Sequence, residues 1–300
     1  EINDPFHWAL GIRLFNGILG FIAITYLFFS IKKYFEKKNN IKYYLIYFTF
    51  WFYPYLFVRT SSEALSIIFF IIAFSYLLNS FQNKFEKINI YKLVFFGSVL
   101  GLSIVIRPQI IFSIVPIFFW ILIYKLDLYK ILLVTIGIIS SIFIGLYIDY
   151  LNWGFFTNTY LQIYKFQILE GQMRAFGKEP FWFYLIVVLK DLSPIFSLFF
   201  LISLPIFFIK NFKSVFTWLV LGTIIFLLFF QHKETRFIFQ IYIFSPFFFF
   251  YFLSQLTNIF IRNIIFFLSL ISNLIFLIIV CIFPANNKVH LYNYIHLQNL

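Results

Sequence analysis

Long apolar runs separated by short polar ones organise this chain from end to end. Ten runs are candidates for spanning helices: 9–31, 41–58, 62–79, 91–106, 109–124, 129–148, 193–210, 214–231, 237–254 and 263–283. A hydrocarbon core of roughly 30 Å needs about 20 apolar residues in a helix. Several runs sit near the short limit, which predicts little tilt or a partly interfacial position. The pattern therefore predicts an all-α, polytopic transmembrane bundle of about ten spans. It forms a single transmembrane domain over residues 1–300, with no repeat, linker or second domain.

The polar residues between the runs test that division. Lys32, Lys33, Lys37, Lys38 and Lys42 fill the first connection, and Lys84, Lys87 and Lys92 the third. Lys125 and Lys130 fill the fifth, Lys210 and Lys213 the seventh, and Arg262 the ninth. All are odd-numbered connections and share one side, which the positive-inside rule makes cytoplasmic. Both chain ends are then expected on the other side. That side carries Arg59 to Glu63, Arg107-Pro108-Gln109, a long non-cytoplasmic loop over 149–192, and Gln231 to Arg236. A loop of that length inside a compact domain is either functional or disordered. Its aromatic content, with Asp149, Glu170, Arg174, Glu179 and Asp191, favours function. The stretch 181–190 reads as a short helix in the interface plane, with Trp182 and Tyr184 at headgroup depth.

Composition removes the soluble alternatives. Hydrophobic residues make up 62% of the chain and charged residues 11%, with a mean hydropathy of +0.93. A soluble domain carries about a quarter charged residues, so too little polar surface exists here to wrap a water-soluble globule. The net charge of +12 sits in the short loops; it reports orientation and no nucleic-acid partner. The 50 Phe residues reflect an Ile, Asn, Lys and Tyr bias typical of an AT-rich genome, so no aromatic cage is read from them. Cys281 stands alone in an apolar run and supports neither a disulfide nor a thiolate metal site. The chain opens at Glu1 without an initiator Met and reads as a fragment of a longer protein.

Arginine on the non-cytoplasmic side runs against the topogenic bias. Arg59, Arg107 and Arg236 each fall at the outer mouth of a span, where they could converge. Guanidinium at membrane depth is costly unless paired, and it suits bidentate contact with phosphate. Each has a plainer alternative. Arg59 and Glu63, four apart, could form an ion pair within one helix. Arg107 before Pro108 could snorkel to headgroups. Asp149 could be a helix-terminal charge or an acid facing a substrate cavity. The stretch 231–236 contains no Gly, Pro or Asn, the usual vocabulary of a turn, so its dense polarity points to function. His232 and Glu234 alone make a weak metal pair, and neither metal nor cofactor is expected.

These residues carry a family resemblance. His232-Lys233-Glu234-Thr235-Arg236-Phe237 resembles the His-Lys-Glu-x-Arg-Phe signature of the dolichyl-phosphate-mannose-dependent α-mannosyltransferases. That family includes the mannosyltransferases of GPI-anchor and lumenal N-glycan assembly. Asp149 to Gly154 resembles its Asp-x-x-x-Tyr-Gly segment, with Trp153 in place of Tyr. Phe176 to Tyr184 resembles its Tyr-Gly-x-x-Pro-Trp-x-x-Tyr segment, with Phe181 in place of Trp. Arg59 to Glu63 and Arg107-Pro108 fall where similar residues are expected. The likeness covers roughly residues 10 to 250.

The resemblance implies a GT-C glycosyltransferase with inverting chemistry. It would move a hexose, mannose by this likeness, from a polyprenyl-phosphate donor to a glycolipid or glycan acceptor. Arg236, with His232 and Lys233, would contact the donor phosphate, and Arg107 is a second candidate. Glu234, Asp149, Arg59, Glu63, Trp182 and Tyr184 are candidates for the substrate site. The family's acidic catalytic pair lies on an outer loop that would precede Glu1; Asp4 is not in a matching context. A nucleotide-sugar donor is disfavoured, because the site faces away from the cytoplasm where such donors are made. Two alternatives remain open. One is a bacterial transferase using undecaprenyl-phosphate sugars for surface polysaccharide or lipid A; the other is a transporter or flippase. Short loops and the AT-rich bias favour a bacterial plasma membrane over the endoplasmic reticulum.

Overall fold

A computed structural model describes residues 5–35, 40–80, 89–124, 128–155, 161–162, 165–170, 177–230, 232–283, 292 and 294–295. Asp4, Lys37, Lys38, Lys84, Lys87, Lys125, Arg174, Phe176 and Gln231 lie outside the described residues. The fold is all-α, with no strand among the described residues. Every one of the ten apolar runs is helical: Pro5–Ile31, Asn40–Thr49 with Phe52–Phe57, Ser62–Ser80, Ile90–Ile106, and Pro108–Ile110 running into Ile111–Tyr124. Then follow Leu128–Trp153, Pro194–Lys210, Val215–Phe229, Thr235–Tyr242 with Ser245–Gln255, and Ile259–Ile282.

The expected count of about ten spans is more than these helices support. Four are long and apolar enough to cross a bilayer, or up to six if each of two bent pairs is one span. The physical reason is length. Ile90–Ile106 and Pro108–Tyr124 are shorter apolar helices, below the about 20 residues a full crossing takes. The bends are sharp: 119° between Pro194–Lys210 and Val215–Phe229, and 54° between Thr235–Tyr242 and Ser245–Gln255. The long loop also begins later than expected, since Leu128–Trp153 continues through Asp149. The run 41–58 is not one helix. Pro54 has no N–H to return to Phe50, so the ladder breaks at residues 50 and 51. Asn273, fully buried on Ile259–Ile282, closes the gap. Its Nδ2 donates to the Thr49 carbonyl at 2.8 Å, and its Oδ1 accepts from the Trp51 N–H at 3.2 Å. Backbone groups freed inside an apolar bundle must find such partners.

Helices pack in a row, Pro5–Ile31 on Ser62–Ser80, then Ile90–Ile106, then Leu128–Trp153. The last contact is very close because both faces are made of small residues. A Cβ on Gly97 would lie 2.1 Å from the Val134 carbonyl oxygen, and one on Gly137 would lie 2.2 Å from that of Val94. Gly97 and Gly101 are spaced four apart and meet Gly137 and Ser141, a small-residue seam of the kind that lets backbones approach in lipid. Ser141 Oγ adds a hydrogen bond to the Ser98 carbonyl at 2.8 Å. On the other side, Ile111–Tyr124 packs on Val215–Phe229, and Pro194–Lys210 packs on Ser245–Gln255. Phenylalanine fills this half; Phe216 and Phe247 stack with ring centroids 4.2 Å apart. Ile259–Ile282 leaves most of its apolar surface outward, a defect in water and the normal state against lipid chains.

Contacts sort the connections into two ends. Lys42 meets Asn263, Lys210 meets Gln255, and Trp120 Nε1 donates to the Lys213 carbonyl. These residues flank odd-numbered connections. Glu63, Arg107 and Arg236 meet at the other end, and Lys233 reaches the Glu179 carbonyl there.

Candidate functional site

The even-numbered end holds a chain of charges, and local sequence explains how each arrives. Ser61 caps the Ser62–Ser80 helix by accepting from the Ala64 N–H. Glu63 thereby falls in the first turn, where the helix dipole favours a carboxylate. Arg107 precedes Pro108, which disfavours the helical region for it; its backbone is extended, at φ −148° and ψ 104°. Arg236 sits in the tight turn Thr235–Ile238, and Glu234 just before it is extended.

Glu63, only 6% exposed, is the hub. Its Oε1 takes Arg107 Nη1 at 2.5 Å and Arg236 Nη1 at 3.1 Å. Arg107 Nη1 also reaches Ser62 Oγ at 3.3 Å. Glu234 accepts the other edge of Arg236, from Nε at 2.7 Å and from Nη2. His232 Nε2 lies 3.1 Å from the second Glu234 oxygen. The sequence of partners is therefore Arg107, Glu63, Arg236, Glu234, His232, gathered from three separate stretches of chain. Burial alone would push the Glu234 carboxyl up; the hydrogen bonds from Arg236 and His232 outweigh it and hold the group below the usual carboxylate range. Burial pulls Arg107 down, with Glu63 opposing, and a guanidinium stays charged throughout.

Arg236 differs from its neighbours in exposure: its side chain is 52% open, against 14% for Arg107. Among the described residues, Nε, Nη1 and Nη2 each meet a carboxylate, which occupies three of the five N–H donors. Lys233 is turned the opposite way. It is buried and donates Nζ to the carbonyls of Phe230, at 2.7 Å, and Glu179, at 3.2 Å. It ties segment 177–180 to the stretch that holds Glu234 and Arg236.

The remaining candidates are placed as follows. Arg59 does not pair with Glu63; it donates Nη1 to Tyr55 OH at 2.9 Å and lies over that ring at 4.5 Å. The two are not on one helix, since residues 59–61 are non-helical. Tyr184 is turned into the protein. In Phe183–Asp191 it shares a face with Val187 and Val188, and all three are buried. Burial, then the nearby Glu234 carboxylate, pushes its phenol up. Trp182, just before that helix, is 48% exposed. Asp149 lies on Leu128–Trp153, and the carboxylate–guanidinium pairs of the cluster do not include it. Sequence reading did not single out Asp191 as a site residue. Its Oδ2 accepts from Tyr242 OH at 3.4 Å, and burial raises its carboxyl. Among the described residues, no three His, Cys, Asp or Glu side chains converge to hold a metal ion.

Chemically, this arrangement offers a half-open guanidinium, fixed from two sides by carboxylates, beside a second guanidinium and an imidazole. It suits an anion at the bundle's end. A family model described as the Alg9-like mannosyltransferase family matches residues 2–299. Neither a curated protein nor a solved structure matches the chain.

Proposed function

The chain belongs to the Alg9-like mannosyltransferase family, and on that premise we propose that it moves mannose from a polyprenyl-phosphate carrier to a glycolipid or glycan acceptor. The chain is an integral membrane glycosyltransferase. The reaction takes place on the non-cytoplasmic side, with inversion, in a bacterial plasma membrane. The observation that carries this reading is Arg236: a half-exposed guanidinium, aligned by Glu234 and Glu63, with two N–H donors not held by a carboxylate among the described residues. Two donors in a fixed plane match two phosphate oxygens.

The acceptor hydroxyl attacks the anomeric carbon and gives its proton to a carboxylate base. The bond from that carbon to the phosphate oxygen breaks, and the electron pair leaves with the polyprenyl phosphate. Arg236 meets the charge that develops on the leaving oxygen, with Arg107 and His232 behind it. Lys233 contributes by holding the 177–180 segment over the cluster. We assign no residue of this chain as the base.

The test uses membranes carrying the protein, labelled polyprenyl-phosphate mannose and a glycolipid acceptor. Arg236→Ala is expected to abolish transfer while Lys92→Ala keeps it, and a nucleotide sugar without the carrier gives no product. Near-normal turnover by the Arg236 variant would sink the assignment.

A further inference from the structure

The opposite end of the bundle holds a cleft that the reaction does not use. It opens between the start of Asn40–Thr49, the end of Ser245–Gln255 and the start of Ile259–Ile282. Aromatic side chains form its walls, Tyr43, Phe250 and Phe266 among them; its polar groups are Lys42, Ser254 and Arg262. Lys42 and Arg59 flank one broken span, so the cleft lies at the end of the bundle away from Glu63, Arg107 and Arg236.

Among the described residues, two cations line this cleft and no carboxylate does. Lys42 Nζ is held by Asn263 Oδ1 at 2.5 Å and stands 5.3 Å from the Phe266 ring centroid. Arg262 is half-buried, and among the described residues its side chain makes no ion pair or hydrogen bond. A guanidinium beside an ammonium in an apolar setting repels its neighbour unless an anion lies between them. The setting narrows the anion further. The helix that carries Arg262, Ile259–Ile282, turns its other face outward, with Ile264, Phe267, Leu268 and Ile271 exposed as a lipid-facing helix would have them.

We propose that this cleft binds the headgroup phosphodiester of an anionic phospholipid, between Lys42 and Arg262, with its acyl chains in the bilayer that surrounds the bundle. Basic pockets between helices at this end of membrane proteins have the charge and depth such headgroups need. The proposal is independent of the sugar-transfer reading, because it uses none of the same side chains.

The protein in detergent is titrated with phosphatidylglycerol, with phosphatidylcholine, and with glycerol phosphate alone, and its thermal unfolding midpoint is followed. Ligand that binds the folded state raises that midpoint. Phosphatidylglycerol is expected to raise it, and the other two to leave it in place. Arg262→Gln, which breaks no bond among the described residues, is expected to remove half or more of the rise. Lys92→Gln removes the same charge at the same end away from the cleft and is expected to keep the full rise. Equal losses in both variants would reduce the effect to general surface charge and overturn the site. An unchanged rise in Arg262→Gln, an equal rise with phosphatidylcholine, or an equal rise with glycerol phosphate would overturn it as well.

Discussion

Arg236 Nη1 donates to Glu63 Oε1 at 3.1 Å, across 173 residues of chain. That contact ties the first turn of Ser62–Ser80 to the turn that opens the Thr235–Tyr242 segment. Because Arg107 uses the same oxygen, one carboxylate sets the position of two guanidiniums.

Glu63→Gln keeps the shape and removes the charge. Breaking one partner out of a buried charge network costs about 3–5 kcal/mol, and here two arginines lose their anchor together. Transfer is expected to fall by about 100-fold or more, an effect of the size seen when one preorganised donor is lost. Initial rates at saturating donor check this; a change smaller than twofold would mean that Glu63 does not position the cluster.

Lys233→Met retains the side-chain stem but releases the Glu179 and Phe230 carbonyls. The expected cost is about 1–3 kcal/mol for the unsatisfied buried groups, with faster protease cleavage in 177–182. If Lys233 serves the segment rather than the donor, KM for the polyprenyl-phosphate sugar rises less than in the Arg236 variant. Parallel proteolysis and kinetics decide between those roles.

The Glu234 carboxyl is held below its ordinary range in the folded protein. A depressed folded-state pKa stabilises above the unfolded value, about 4.3 for glutamate, and the contribution disappears as pH falls through the folded value. The wild-type advantage in unfolding midpoint over Glu234→Gln is therefore expected to be full at neutral pH and to shrink below about pH 4. An advantage independent of pH would contradict the pairing with Arg236 and His232.

Gly97→Val places a Cβ and two methyl groups against the Val134 carbonyl, where even the Cβ would stand at 2.1 Å. The neighbour is backbone and cannot swing aside. Overpacking of this kind costs about 1–3 kcal/mol or more, and loss of monodisperse protein in detergent is the expected readout. Gly11→Val, where a Cβ meets nothing within 4 Å, is the matched control and should behave as wild type.

Much of this was legible before the structure. The apolar runs gave helices at every expected position, and the order of Arg107 and Arg236 along the chain was enough to expect them at one end. The partners were less so. Glu63 is four residues from Arg59 and looked like its local mate, yet a proline-enforced turn at residue 107 and a tight turn at 236 brought two distant arginines closer. Tertiary pairing of that kind leaves no trace in local spacing. Two other features did leave a signal. Gly97 and Gly101 are a small-residue pair four apart in an apolar run, and Asn273 is a lone amide deep in another; both are marks of close helix contact in lipid. Tyr184 faced inward because Val187 and Val188 continue its stripe, a periodicity visible in 183–191 once that stretch is read as a helix.

The pairing at Glu63 and Glu234 also bears on how a ligand arrives. Two guanidiniums stand against two carboxylates, so these pairs add little field beyond a Debye length, about 10 Å at 0.1 M salt. These pairs act at contact range. A donor confined to the bilayer reaches that range by lateral diffusion, its phosphate already at the right depth, whereas a soluble phosphate must find the same spot by collision from bulk water.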